Sequence, residues 1–156
     1  MVRKGYSIVL DFDGTVVKHK YPAVGEDIGA VPVLKRLAAN GCSLLLSTMR
    51  SRNSGGVDTL QPAIDWFEQR GIPLAGINEN PTQKEWTSSP KVYGDIYIDD
   101  AALGAPLKMD ASGAAYIDWG KVAAYLYYMD LLTQDDIIAL ANEGAVNLEL
   151  GTKIKL

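Results

Sequence analysis

The sequence predicts an α/β protein in three layers, a doubly wound parallel sheet with helices on both faces. Three observations predict it. Short apolar runs alternate along the chain with segments whose apolar residues recur at helical spacing. The runs Ile8-Val9-Leu10, Leu44-Leu45-Leu46 and Ile96-Tyr97-Ile98 do not alternate with polar residues, as expected of strands covered on both faces. Each of these runs ends in polar groups: Asp11 and Asp13, Ser47 and Thr48, Asp99 and Asp100. In open parallel sheets ligands sit beyond the carboxyl ends of the strands, so three such endings point to one shared site.

A chain of 156 residues suits a single domain over 1–156, with a core over about 6–103 and further strand and helix elements over about 104–150. Its composition, 47% hydrophobic and 22% charged, leaves little room for a long disordered segment. A net charge of −4 argues against a general nucleic-acid surface, which needs an excess of lysine and arginine. A nucleotide or phosphorylated metabolite remains open, since it needs only a local basic cluster. The single cysteine, Cys42, lies in an apolar run and reads as buried filler in a reducing compartment. With no signal-like start and no apolar span of about 18 residues, the expectation is a cytoplasmic protein without membrane contact.

The first strand carries the chemistry. Residues i and i+2 point to the same side of an extended chain, so Asp11 and Asp13 can face one point as the strand exits. Gly14 lets the chain turn there. An unpaired buried carboxylate costs several kcal/mol or shifts its pKa until it is neutral. A divalent cation with oxygen ligands would neutralise the pair. Asp-Gly after a strand is also ordinary turn chemistry, and the other strand ends decide between the two readings.

A polar loop follows, Val16 to Ala30, with the only histidine, His19, between Lys18 and Lys20. A lone loop histidine is more often solvated than catalytic, although this one follows the acidic pair closely. The first helix is expected over about 31–40, with Pro32 in its first turn, Val33, Leu34 and Leu37 on one face, and Gly41 beyond its end.

The second strand leads through Ser47 and Thr48 into Met49-Arg50-Ser51-Arg52-Asn53-Ser54-Gly55-Gly56. Hydroxyls, two arginines and flexible backbone suit a phosphate-facing loop, so Ser47, Arg50 and Arg52 are candidate substrate contacts. Asp58 or Thr59 would cap the next helix, whose face is Leu60, Ala63, Ile64 and Phe67 and whose end is Gly71. Leu74 to Ile77 reads as a third strand, Asn78 to Pro90 as an irregular loop, and Ile96 to Ile98 as the fourth strand. Ala115 to Ile117 reads as a fifth strand. Asp118 to Leu132 reads as a helix with Val122, Leu126, Met129 and Tyr125 inward, and Gln134 to Asn142 as another. Tyr116, Asp118 and Trp119 read as core packing more readily than as site rim. Val146 to Leu150 is a candidate edge strand, and Thr152 to Leu156 a loose tail.

Taken together, Asp11-Phe12-Asp13-Gly14-Thr15, Leu44-Leu45-Leu46-Ser47-Thr48 and Ile96-Tyr97-Ile98-Asp99-Asp100 resemble the first, second and fourth motifs of the haloacid dehalogenase-like superfamily of phosphohydrolases. The resemblance covers roughly residues 6–103 and implies a Rossmannoid core of that type. It implies a Mg²⁺-dependent phosphomonoester hydrolase in which Asp11 is the nucleophile and Asp13 the general acid and base. Mg²⁺ would be held by Asp11, the backbone carbonyl of Asp13 and Asp99, with Asp100 acting through water. Thr48 would bond a phosphoryl oxygen. Thr15 would help hold Asp13 and belong to the substrate site. The third motif is a lysine ahead of the fourth strand, for which Lys91 is the candidate and Lys84 the alternative.

The two segments that carry a cap domain in many members are here about 15 and about 13 residues, too short for a folded cap. The site is therefore expected to be open, or covered by a loop or a second subunit. The short core and the Ile-Asp-Asp ending are similar to small deoxyribonucleotidase-like and other capless hydrolases. The alternatives are a regulatory module that keeps the fold and metal site without turnover, and phosphoryl transfer through the same aspartyl intermediate.

Overall fold

The apolar strands assemble as a four-stranded parallel sheet in the order β3-β2-β1-β4, flanked by helices, in a Rossmann-like α/β arrangement. The structure is a computed structural model and describes residues 2–146. The strands are β1 (Ser7–Leu10), β2 (Ser43–Leu46), β3 (Gly76–Ile77) and β4 (Ile96–Ile98). Ile8 pairs with Leu44 on one side and Ile96 on the other, so β1 is central. The ladders run one residue past the strands. Asp11 donates its N–H to the Ile98 carbonyl at 3.0 Å, and Ser47 donates to the Leu10 carbonyl at 2.8 Å. This continued register sets Asp11 level with Ser47 and Asp99 at the carboxyl edge.

The pleat sorts side chains to two faces. Ile8, Leu10, Leu44 and Leu46 share one large core with the buried faces of α1 (Ala30–Ala39), α2 (Leu60–Gln69), α3 (Trp119–Tyr128) and α4 (Gln134–Asn142). On the other face Val9 and Leu45 are buried with Val92. The segment from Asn78 to Val92, with a 3₁₀ turn at Pro81–Glu85, lies between β3 and β4. Among the described residues no α-helix contributes to that second cluster.

Local chemistry explains the boundaries. Asp58 Oδ1 accepts the N–H groups of Leu60 and Gln61, so Asp58 satisfies the free amides of α2. Asp118 accepts from Gly120 and Lys121 and caps α3. Thr133 and Asp136 form a reciprocal capping box at α4. The helix expected over Asp118 to Leu132 is shorter than its expected span: α3 ends at Tyr128, Asp130 follows with φ of 59°, and α4 begins after Thr133, where a separate helix was expected. Tyr125 and Met129, expected to face inward, are exposed instead. They border an apolar groove of about 270 Å³ beside β4, also lined by Tyr97, Leu103 and Val122.

A two-stranded antiparallel ribbon, β5 (Leu107–Met109) with β6 (Ala115–Ile117), stands apart from the main sheet. The candidate edge strand from Val146 to Leu150 lies outside the described residues except for Val146, which is buried in the core. The candidate tail, Thr152 to Leu156, lies outside them entirely. No helix among the described residues is long and apolar enough to cross a membrane.

Candidate functional site

Phe12 orients the acidic turn. Its ring is fully buried against Trp66 and Phe67, with centroids 5.9 Å from each. Burying a ring of this size contributes about 2–3 kcal/mol. With Phe12 anchored in the core, Asp11 and Asp13 point away from it, at the sheet edge. Gly14 turns the chain with φ of +80°, and Val17 returns its carbonyl to the Gly14 N–H at 2.7 Å.

Asp11, Asp99 and Asp100 converge there. One carboxylate oxygen of each lies within 4.8 Å of the others. Thr15 joins two of them. Its hydroxyl donates to Asp11 Oδ2 at 3.0 Å and accepts the Asp100 N–H at 3.1 Å. The Ala101 N–H fixes Asp99 through Oδ1 at 2.8 Å. Burial raises the Asp11 carboxyl from 3.8 to about 7, and the neighbouring acids Asp99 and Asp100 push the same way, against hydrogen bonds from the Phe12 N–H and the Thr15 hydroxyl. A half-buried trio of oxygen donors of one charge suits a hard divalent cation. The donor chemistry therefore fits the ion that the sequence resemblance implies.

Asp13 is not part of this trio. Its carboxylate is gripped side-on by Arg50, Nε to Oδ2 at 2.7 Å and Nη2 to Oδ1 at 2.8 Å. The same guanidinium donates to the carbonyls of Pro22, Ala23 and Thr59. A guanidinium has five N–H donors, and all five are used. It is also flanked by the rings of Phe12 and Tyr21 and is 2% exposed. Arg50 is therefore corrected from a phosphate contact to a buried clamp, because no donor is left for a ligand.

Thr15 is corrected likewise. It is fully buried and bonds Asp11 and Asp100, so it neither holds Asp13 nor reaches a substrate. Arg52 stays exposed and pairs with Asp58 and Gln61 at the start of α2. Thr48 sits at the edge, with its N–H held by Asn78 Oδ1 at 2.8 Å and its Oγ1 accepting the Arg50 N–H. Ser47 is half-buried beside it.

Neither candidate lysine reaches the trio. The Lys91 ammonium lies over the Tyr97 ring, 5.2 Å from its centroid. Lys84 pairs with Glu79 at 2.8 Å. Among the described residues neither of these lysines is paired with Asp11, Asp99 or Asp100.

Two groups escape the sequence reading. His19, taken as a solvated loop residue, places Nε2 2.8 Å from Asp100 Oδ2. Its nearness to the acidic pair in sequence was the available signal. The second is the C-terminal region. Ile117 donates to the Gly14 carbonyl at 2.9 Å, and the buried indole of Trp119 donates to the Thr15 carbonyl at 2.7 Å. Trp119 and Asp118 are buried, in keeping with core packing rather than site rim.

No protein-family profile matches the chain. No curated protein sequence matches it significantly. A solved structure described as that of a conserved protein coded by a locus from Bacteroides thetaiotaomicron is similar, with a TM-score of 0.62 and 29% identity. The similarity covers 84% of this chain and 100% of that one. It supports the Rossmann-like α/β architecture, and its description names no activity.

Proposed function

We propose that this chain is a Mg²⁺-dependent phosphomonoester hydrolase of the haloacid dehalogenase-like type, acting on a nucleotide or another phosphorylated metabolite. The observation that carries the reading is the convergence of Asp11, Asp99 and Asp100 at the carboxyl ends of the neighbouring strands β1 and β4. The fold belongs with it as a doubly wound core whose second covering layer is reduced to the segment 78–92.

Asp11, Asp99, Asp100 and the backbone carbonyl of Asp13 would hold the ion. When bound, it would offset the repulsion between carboxylate and phosphate and polarise the phosphoryl group. Asp11 attacks phosphorus through one oxygen, and the bond from phosphorus to the leaving oxygen breaks. Asp13 gives its proton to that oxygen, then takes one from the water that hydrolyses the aspartyl-phosphate, which restores Asp11 and releases inorganic phosphate. To carry a proton, Asp13 has to give up one of its two bonds to Arg50. The Thr48 hydroxyl, which only accepts in the present contacts, retains its hydrogen for a phosphoryl oxygen.

A second reading has its own support. Arg50 occupies both oxygens of Asp13, and among the described residues no lysine is paired with Asp11. Both facts suit a module that binds a phosphorylated ligand without turnover.

The test is a phosphatase panel with Mg²⁺, from p-nitrophenyl phosphate to nucleotides, sugar phosphates and a 3′-phosphorylated oligonucleotide. Wild type should release inorganic phosphate, and Asp11→Asn should lose about a thousandfold or more. Equal rates in the two proteins would sink the mechanism. A folded wild type that is inactive throughout, yet binds a phosphorylated ligand tightly, would favour the module.

A further inference from the structure

His19 is the one imidazole in the chain, and the fold brings it to the acidic trio from a loop eight residues beyond Asp11. Three features hold it there. Val16 and Val17 are fully buried, which anchors the loop just before it. Lys18 donates its N–H to the Glu26 carbonyl at 2.9 Å, and Gly25 packs so tightly against the Lys18 carbonyl that a side chain would collide with it. Gly14 lies directly beneath the contact, and a Cβ there would strike both His19 Nε2 and Asp100 Oδ2. The pairing is therefore seated on the glycine of the acidic turn rather than reached by a freely swinging side chain.

An ionised carboxylate can only accept, so Nε2 carries the hydrogen in the 2.8 Å contact to Asp100 Oδ2. Asp100 Oδ1 lies 3.4 Å from the Thr15 hydroxyl, whose single hydrogen is given to the nearer Asp11 Oδ2. Asp100 is thus held at two points: its N–H by the Thr15 hydroxyl oxygen, and its Oδ2 by His19. The first contact comes from the buried turn, and the second comes from a side chain that is 51% exposed.

We propose that His19 is a positioning residue of the metal centre, orienting Asp100 so that its inner oxygen faces the point shared with Asp11 and Asp99. The inference rests on the proposed metal site and extends it outward by one side chain. Hydrogen-bonded partners of ligating carboxylates commonly change metal affinity by about 10–100-fold. An exposed partner belongs at the lower end of that range.

The experiment is a Mg²⁺ titration by calorimetry, with Mn²⁺ followed by electron paramagnetic resonance, at about pH 8. It uses wild type, His19→Ala, His19→Gln and Asp99→Asn. His19→Ala should weaken binding about tenfold. His19→Gln, whose amide places a donor near the position of Nε2, should recover most of the loss. Wild-type or tighter affinity in His19→Ala, with Asp99→Asn still weakened, would overturn the role of His19 and leave the metal site standing. No Mg²⁺ uptake by wild type, or equal affinity in Asp99→Asn, would overturn the metal site and this inference with it.

Discussion

Asp11 combines three roles in one carboxyl: it ends the central strand, joins two other acids and is half-buried. Its raised pKa has a direct consequence for the metal-free protein. A carboxyl whose folded pKa lies above its unfolded value contributes stability that is complete below the unfolded value, 3.8, and lost as pH rises through about 7. The metal-free protein should therefore lose stability between about pH 4 and 7, beyond what its other groups contribute. Asp11→Asn should remove that part of the loss and melt roughly 3–6 °C higher than wild type at about pH 8. Thermal melts of both proteins in chelator across this range check it, and parallel curves would contradict it. At this scale the acids were legible because a carboxylate at the end of an apolar strand is costly and demands a partner. Arg50, Thr15 and His19 were not legible, because their roles depend on contacts closed by the fold. Arg50 meets Asp13 across 37 positions and His19 meets Asp100 across 81. The lysine's place is not legible for the same reason: a charge ahead of a strand says nothing about which way its long side chain turns.

The elements followed the periodicity where burial was one-sided and strong. The helices α1 and α2 begin and end within a residue or so of the capping signals, and the three apolar runs are β2, β1 and β4, adjacent strands of the sheet. The ribbon strand β5 was missed because Leu107-Lys108-Met109 is exposed throughout and carries no burial pattern. The helix α3 was read too long because Leu131 and Leu132 are buried and continue its apolar character past the break at Asp130. That helix also has a task outside its own packing. The Trp119 indole reaches into the acidic turn and bonds the Thr15 carbonyl. Trp119→Phe keeps most of the apolar bulk and removes the donor, leaving a buried carbonyl unpaired, at a cost of about 1–3 kcal/mol. Urea unfolding should show a lower midpoint with an unchanged slope. An unchanged midpoint would mean that the carbonyl finds another partner.

The molecule as a whole is less divisible than its motifs. The resemblance ends near residue 103, yet Ile117, Trp119, Val122, Ala123 and Leu126 sit in the same core as Ile8 and Leu10. A fragment of residues 1–103 should accordingly show no cooperative thermal transition by circular dichroism. A sharp transition would establish the first part as autonomous. The expectation of helices on both faces was drawn from strands apolar throughout, and β1 and β2 are indeed buried on both. Burial on the second face comes from Val92 and its neighbouring segment, which a short apolar residue in a polar loop does not announce.

Gly14 sets a limit on how this chain could change by descent. Every single-base change of a glycine codon that alters the residue without stopping the chain introduces a Cβ. At this position a Cβ meets a left-handed backbone and the His19–Asp100 pair together. Even alanine, the smallest step, would have to displace the pair. The turn thus has no conservative neighbour in sequence space, and a lineage that left glycine here would surrender the His19 contact in the same step.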